Sequence, residues 1–426
     1  MQTTVRPAEL DRALLRRRYV SNRRRTTELF ALVDPSAYYE RPIGLRHPIV
    51  FYEGHIPAFS FQKLVREGLH GAHPDPEFER LFARGIDPAS TADASRHERA
   101  SWPERAAVQA FAAACDGAVL DAFAHADLTD ASASPVLERG QAPLAILEHE
   151  EMHHETLLYM LHRLPLERKR TAGRAGAYVE RDPAARGRVS VPAGRATVGA
   201  KRDAAFGWDN EFDATQVDVP AFEMDVNNVT NGDWLAFVRA GGPLPSFWLE
   251  RDGDYALLGM FEVMPLPLTW PVYVTQTQAR AYAAWRGARL PTEAEYHRAA
   301  FGTPSGEERA FPWGDAAPTS AYGNFDFRRF DPEPVGSNPA GASAWGIHDL
   351  VGNGWEWTAT PFQPLPGFHP MASYPQYSVD FFDGAHFIIK GASPVTNRHH
   401  VRRSLRNWYR PDYPYVYATF RTVNDS

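Results

Sequence analysis

A chain of 426 residues and 47.7 kDa, 44% hydrophobic and 23% charged, is long enough for two or three domains, each with its own core. A net charge of -7 and a pI near 6.2 give no overall pull toward nucleic acid or an anionic membrane, and no run of eighteen apolar residues or signal-peptide core appears, so a cytoplasmic protein without a membrane partner is expected. Cys115 is the only cysteine, which excludes an internal disulfide and any thiolate-cluster metal site.

Four helical patterns precede residue 166, at about 7 to 34, 48 to 68, 103 to 126 and 138 to 164, divided by loops such as GAHPDPEF and GIDPASTADAS. Helices alone over 165 residues predict a four-helix bundle, a fold that builds metal sites from facing helices. The first pattern carries the arginine-dense stretch Arg16 to Arg25, with Leu14, Leu15, Tyr19 and Val20 at helical spacing, and reads as a solvated helix face. The third holds Cys115 in an Ala-rich apolar setting, as a packed thiol.

The fourth pattern, LAILEHEEMHHETLLYMLHRL from 144 to 164, carries the chemistry. His149 and His153 are four apart, so on a helix their rings stack on one side within reach of one metal ion, whereas His154 is turned about 100° away. Apolar neighbours Leu144, Ile146, Leu147, Leu157, Leu158, Met160 and Leu161 imply burial, where an imidazole pair needs a metal or carboxylate partners. HEEMH also matches the short HExxH zinc-peptidase pattern with Glu150 as base, but lacks the longer extension with Gly and a third His. His55, among apolar residues of the second pattern, is the best third ligand. Three neutral imidazoles leave other positions of an ion open for dioxygen and substrate, as the related two-His-one-carboxylate triad does with Fe(II); zinc stays open on ligand type alone.

Residues 166 to 188, charged and Gly/Ala-rich, read as a linker between a domain at 1 to 165 and another at 189 to 426. Beyond it, short β-prone runs, aromatics and Gly/Pro/Asn turns predict an irregular α+β domain with long loops and helices near 275 to 287 and 291 to 301.

The segments VPAGRATVGA, AFEMDVNNVTNGDWLAFVRAGG, ARLPTEAEYHRAA, FPWGD, GASAWGIHDLVGNGWEWT and YATFRTV, in that order, resemble the formylglycine-generating-enzyme-like (sulfatase-modifying factor, C-type-lectin-like) fold. True formylglycine-generating enzymes hold copper with a cysteine pair, and this half has no cysteine, so that activity is excluded. Joined to a DinB-like bundle with HxxxH on its last helix and a histidine on its second, the whole resembles the EgtB-like non-haem iron sulfoxide synthases of ergothioneine biosynthesis. The resemblance implies Fe(II) on His55, His149 and His153, with dioxygen used to join a thiol donor to imidazole C2 of hercynine. It places Asn407 and Trp408 of RNWYRP at the trimethylammonium group, where an aromatic face suits a quaternary cation. It draws the proton donor from ASYPQYSVDFF, leaving Tyr374 or Tyr377, and places Arg96 and Arg99 of ASRHERASWP in the loop that binds donor carboxylates.

Departures concern the donor. Met152 stands where Gln is common before the second histidine, KGAS (Lys390 to Ser393) replaces RGGS, and Tyr409 stands where Asp can follow the RNW pair. Kept iron ligands in changed surroundings look like the selenoneine synthase (SenA) branch, which joins a selenosugar to hercynine. Three other readings are γ-glutamylcysteine or cysteine as donor, an HExxH zinc peptidase, and a non-catalytic hercynine-binding module. GNGWEWT, 352 to 358, reads as a fold-fixing segment, with Trp355 in reach of the pocket as the alternative.

Overall fold

The computed structural model describes residues 10–83, 102–171, 187–202, 206–251 and 253–426. The chain divides into two compact units, one of Met1–Gly173 with Ala372–Tyr374, the other of Arg174–Met371 with Pro375–Ser426.

The first unit is a helical bundle. Helix α1 (Arg12–Phe30) is capped by the Asp11 side chain, which accepts from the Leu14 amide, and buries Leu15, Tyr19, Thr26 and Leu29 along one stripe. Helix α2 (Ile49–Ser60) is buried on every side and runs on as a π-helical stretch over Phe61–Gly68. Two further long helices, α4 (Arg105–His125) and α5 (Gln141–His162), complete the bundle, with α2 packed against both and α1 against α5. Leu15, Tyr19, Phe59, Leu64, Val119, Phe123, Ile146 and Leu147 form the shared core. Helix α4 is long and apolar enough in composition to cross a membrane; here it lies in the bundle with Val108, Phe111, Cys115, Val119 and Phe123 buried.

Two features differ from expectation. The stretch GAHPDPEF is not only loop, because Asp75 caps a short helix α3 (Pro76–Phe82) through the amides of Glu77 and Phe78, with Pro76 preset in its first turn. The arginine-dense face of α1 is not simply solvated: Arg18 pairs with Glu151 at 2.6 Å and Arg23 with Glu150 at 2.8 Å, so two of its cations neutralise acids of α5.

The second unit has little regular structure. Strands β1 (Arg188–Val191), β4 (Phe222–Asp225) and β12 (Val423–Asp425) form an antiparallel sheet in the order β1-β4-β12, while β2 (Gly194–Val198) pairs with β3 (Thr215–Val219). Strands β5 (Trp248–Arg251), β6 (Asp254–Leu258) and β7 (Val263–Pro265) make a meander. The remaining sheet runs β10-β9-β8-β11, from β8 (Gly354–Pro361), β9 (Phe387–Ala392), β10 (Asn407–Tyr409) and β11 (Ala418–Thr419). Helices α6 (Asn231–Arg239), α7 (Gln276–Trp285) and α8 (Glu293–Phe301) each begin at a threonine capping box, from Thr230, Thr275 and Thr292; α9 (Gln376–Val379) is a single turn. The predicted helices near 275 and 291 are α7 and α8, and α6 is additional.

The GNGWEWT segment fixes this fold. Trp357 is fully buried and donates to the Val274 carbonyl, Asn353 ties Asn324 to Glu333, and Glu356 pairs with Arg421 at 2.6 Å with neither side chain exposed. Trp355 is 2% exposed.

Candidate metal centre

The three histidines meet inside the bundle. Helix α5 turns His149 and His153 to the same side, α2 brings His55 opposite them, and one ligand nitrogen from each lies within 4.8 Å of the others. The Nε2 atoms of His149 and His153 are 3.1 Å apart. Two nitrogens at right angles on one ion, each about 2.1 Å from it, would stand about 3.0 Å apart, so this spacing is compatible with a shared cation. His55 places its Nδ1 2.8 Å from the Phe82 carbonyl, which must accept, so the ring is the Nδ1–H tautomer and its Nε2 lone pair is buried without a hydrogen-bond partner among the described residues. Among the described residues, no carboxylate reaches any of the three rings. The donor set therefore fits a divalent metal, with three neutral imidazoles as ligands.

Burial holds these rings neutral. It pushes His55 down to about 4, against a smaller opposing effect of its bond to Phe82. His149 and His153 are driven well below the ordinary histidine value, first by burial and then by the neighbouring imidazoles. The walls are aromatic: Phe59 stacks on His149 with centroids 3.5 Å apart, Phe51 stacks on His55 at 4.9 Å, and the Tyr52 ring lies 5.6 Å from His153.

Glu150 and His154 of HEEMHH face the α1 side instead. His154 places Nε2 2.8 Å from the Thr26 hydroxyl of α1. Glu150, fully buried, accepts from Arg23 at 2.8 Å and Thr26 at 2.5 Å. The carboxylate that a zinc peptidase needs as a water-activating base is thus engaged on the α1 side of the helix.

The two candidate tyrosines part company. Tyr374 belongs to the bundle unit, with its ring 5.3 Å from Phe59 and the Lys63 ammonium 5.7 Å above it, while the amide of Ser373 donates to Gln141 at 3.1 Å. One ring, Phe59, therefore separates Tyr374 from His149. Tyr377 belongs to the second unit, stacked on Trp208 at 4.0 Å. Its ring stands edge-on to Trp408 at 5.3 Å, Phe362 lies flat on Trp408 at 4.1 Å, and Phe381 closes in at 5.4 Å. Asn407 and Trp408 sit on β10, whose lead-in is fixed by the buried Arg406 through Glu293 and the carbonyls of Asn210 and Gln363.

Sequence reasoning missed Phe59, Trp208, Phe362 and Arg406. Only Arg406, adjacent to the Asn-Trp pair, carries a local signal; the others are set by tertiary packing. Arg96 and Arg99 lie outside the described residues. Lys390 of KGAS is structural: it donates to the carbonyls of Arg403 and Leu405 and stands 3.8 Å from Glu293, and burial pushes it down to about 8.

Residues 176–426 match the family described as "Sulfatase-modifying factor enzyme 1-like domain", and residues 18–157 match the DinB superfamily. A protein of Mycolicibacterium thermoresistibile named "Hercynine oxygenase" is 35% identical over 97% of this chain and 95% of its own length. Its namesake in Mycolicibacterium smegmatis is 33% identical over 95% and 96%. "Ergothioneine biosynthesis protein 1" of Neurospora crassa is 26% identical over 91% of this chain and 55% of that protein.

Proposed function

The chain belongs to the hercynine oxygenase family, and on that premise we propose that it is an oxygen-dependent oxidoreductase holding Fe(II) on His55, His149 and His153 and forming a carbon–sulfur or carbon–selenium bond at imidazole C2 of hercynine. The carrying observation is the trio itself, three neutral imidazoles, two buried and His153 partly so, brought together with no carboxylate among the described residues to satisfy them. Iron, when bound, supplies the redox chemistry that couples dioxygen to bond formation. The protein supplies the rest. Trp408, backed by Phe362 and flanked by Tyr377 and Phe381, offers an aromatic surface for the trimethylammonium group, with Asn407 beside it. Tyr374 is the favoured proton donor, because its phenol belongs to the unit that carries the ligands and lies one ring from His149.

For the donor we favour a selenosugar over γ-glutamylcysteine or cysteine. Tyr409 stacks on Tyr413 at 5.1 Å, so the position that can carry aspartate offers no carboxylate to an amino-acid donor's ammonium, and Met152 sets a soft thioether between the two ligand histidines in sequence.

Anaerobic reconstitution with Fe(II), followed by oxygen uptake that depends on hercynine, tests the activity; no uptake with any thiol or selenol donor would end it. Competition among γ-glutamylcysteine, cysteine and a selenosugar, read by product mass, decides the donor. Tyr374→Phe is expected to slow bond formation by about 100-fold or more, and Tyr377→Phe to act mainly on the hercynine KM; the reverse pattern would exchange their roles.

A further inference from the structure

We propose that helix α3 is a clamp that sets the tautomer and direction of His55 for the metal, and that Gly54 exists as glycine to let that clamp close; this rests on the reading that the trio binds iron. The Phe82 carbonyl, at the end of α3, accepts the His55 Nδ1–H at 2.8 Å, and this bond leaves Nε2 as the lone pair turned to the other two histidines. A metal-bound imidazole keeps its orientation and basicity through the bond its other nitrogen makes. The carbonyl reaches His55 only because the Phe82 ring lies flat against the bare backbone of the preceding residue. A Cβ on Gly54 would stand 2.6 Å from three carbons of that ring. The ring has nowhere to swing: it is fully buried, parallel to Phe78 at 5.9 Å and stacked on Phe111 at 5.9 Å.

The clamp is also strapped from its other side. Glu79 of α3 takes a salt bridge from Arg66 at 2.7 Å and a contact from His73, and its carbonyl accepts from Gln62 at 3.2 Å. Arg66 and Gln62 both sit on the π-helical continuation of α2. One continuous element thus presents the ligand and holds the helix that aims it, and a helical segment of seven residues serves the metal without contributing a ligand.

Co(II), whose ligand-field spectrum reports coordination, is the probe. Gly54→Ala is expected to weaken Co(II) binding about 10- to 100-fold and to alter its visible absorption. Gly54→Ala with Phe82→Ala removes the clashing ring yet keeps the backbone carbonyl, so affinity should return toward the wild-type value although the metal-free protein is less stable still. Affinity and stability moving in opposite directions is a result that a purely packing role does not give. Wild type that binds Co(II), with a Gly54→Ala variant that binds it equally well, overturns the clamp alone. Affinity that falls further in the double variant also overturns it. A wild-type protein that takes up no Co(II) or Fe(II) overturns the metal reading and the clamp with it.

Discussion

Both units hold closed pairs of buried charge, and the bundle adds a cluster of imidazoles that face one another. In the second, buried charges close on each other: Arg421 with Glu356 at 2.6 Å, Arg406 with Glu293 at 3.0 Å, Arg402 with Glu211 at 2.5 Å. In the bundle, Arg23 and Thr26 likewise bond one oxygen of Glu150, while on another side of α5 three imidazoles share a space in which, among the described residues, they have as hydrogen-bond partners only each other and one backbone carbonyl. A closed network is scaffold, since it gains little from any added molecule and loses much if opened. An open one costs stability in the metal-free chain and gains from any partner that completes it.

The contrast can be broken by substitution. Glu356→Gln leaves the Arg421 guanidinium buried without its counter-charge and should lower the unfolding free energy of the second unit by about 3–5 kcal/mol in urea, followed by tryptophan fluorescence. A loss below about 1 kcal/mol would put this pair with exposed ones and erase the distinction. His149→Leu should abolish iron retention after desalting while leaving the metal-free protein as stable as before, or about 1 kcal/mol more stable, because it removes a buried ring whose Nδ1 has no partner among the described residues. A strongly destabilised His149→Leu protein would mean that the ring is scaffold after all.

Acid and base sharpen the comparison with a smaller effect. His55 falls from an ordinary 6.5 to about 4 on folding, so its contribution is present above 6.5 and lost as pH drops toward 4. Asp209 and Asp349 rise from 3.8 to about 6 through burial, so theirs is present below 3.8 and lost as pH climbs through 6. Hydrogen exchange of the metal-free protein, corrected for intrinsic rates, should therefore show the bundle less protected at about pH 5 than at about pH 7.5, with the second unit, where the aspartates oppose the buried His297 and His348, changing less. A bundle equally protected at the two pH values would contradict these environments.

What could be read from residues alone follows the range of the forces involved. Helical periodicity is local, so the long bundle helices and the facing of His149 with His153 were legible, while the apolar setting of His55 made it only a candidate, which the family resemblance joined to the pair. Helix α3 was passed over because Pro74 and Pro76 read as breakers, although Asp75 before Pro76 is itself a start signal for a helix. The partners of Arg18 and Arg23 were not legible, since they lie more than a hundred residues away on α5. The same holds for the second unit, where strands of two to eight residues pair across long intervals, as β1 does with β4 and β4 with β12. Tyr374 and Tyr377, three apart, are alike in sequence and differ only in which unit each joins.

That last assignment bears on how the gene can be divided. Ala372, Ser373 and Tyr374 are encoded some two hundred codons after the bundle ends, yet they are part of its body. A fragment expressed from residues 1–171 would carry His55, His149 and His153 but not this phenol, so dividing the gene between the two halves would part Tyr374 from the unit it packs with.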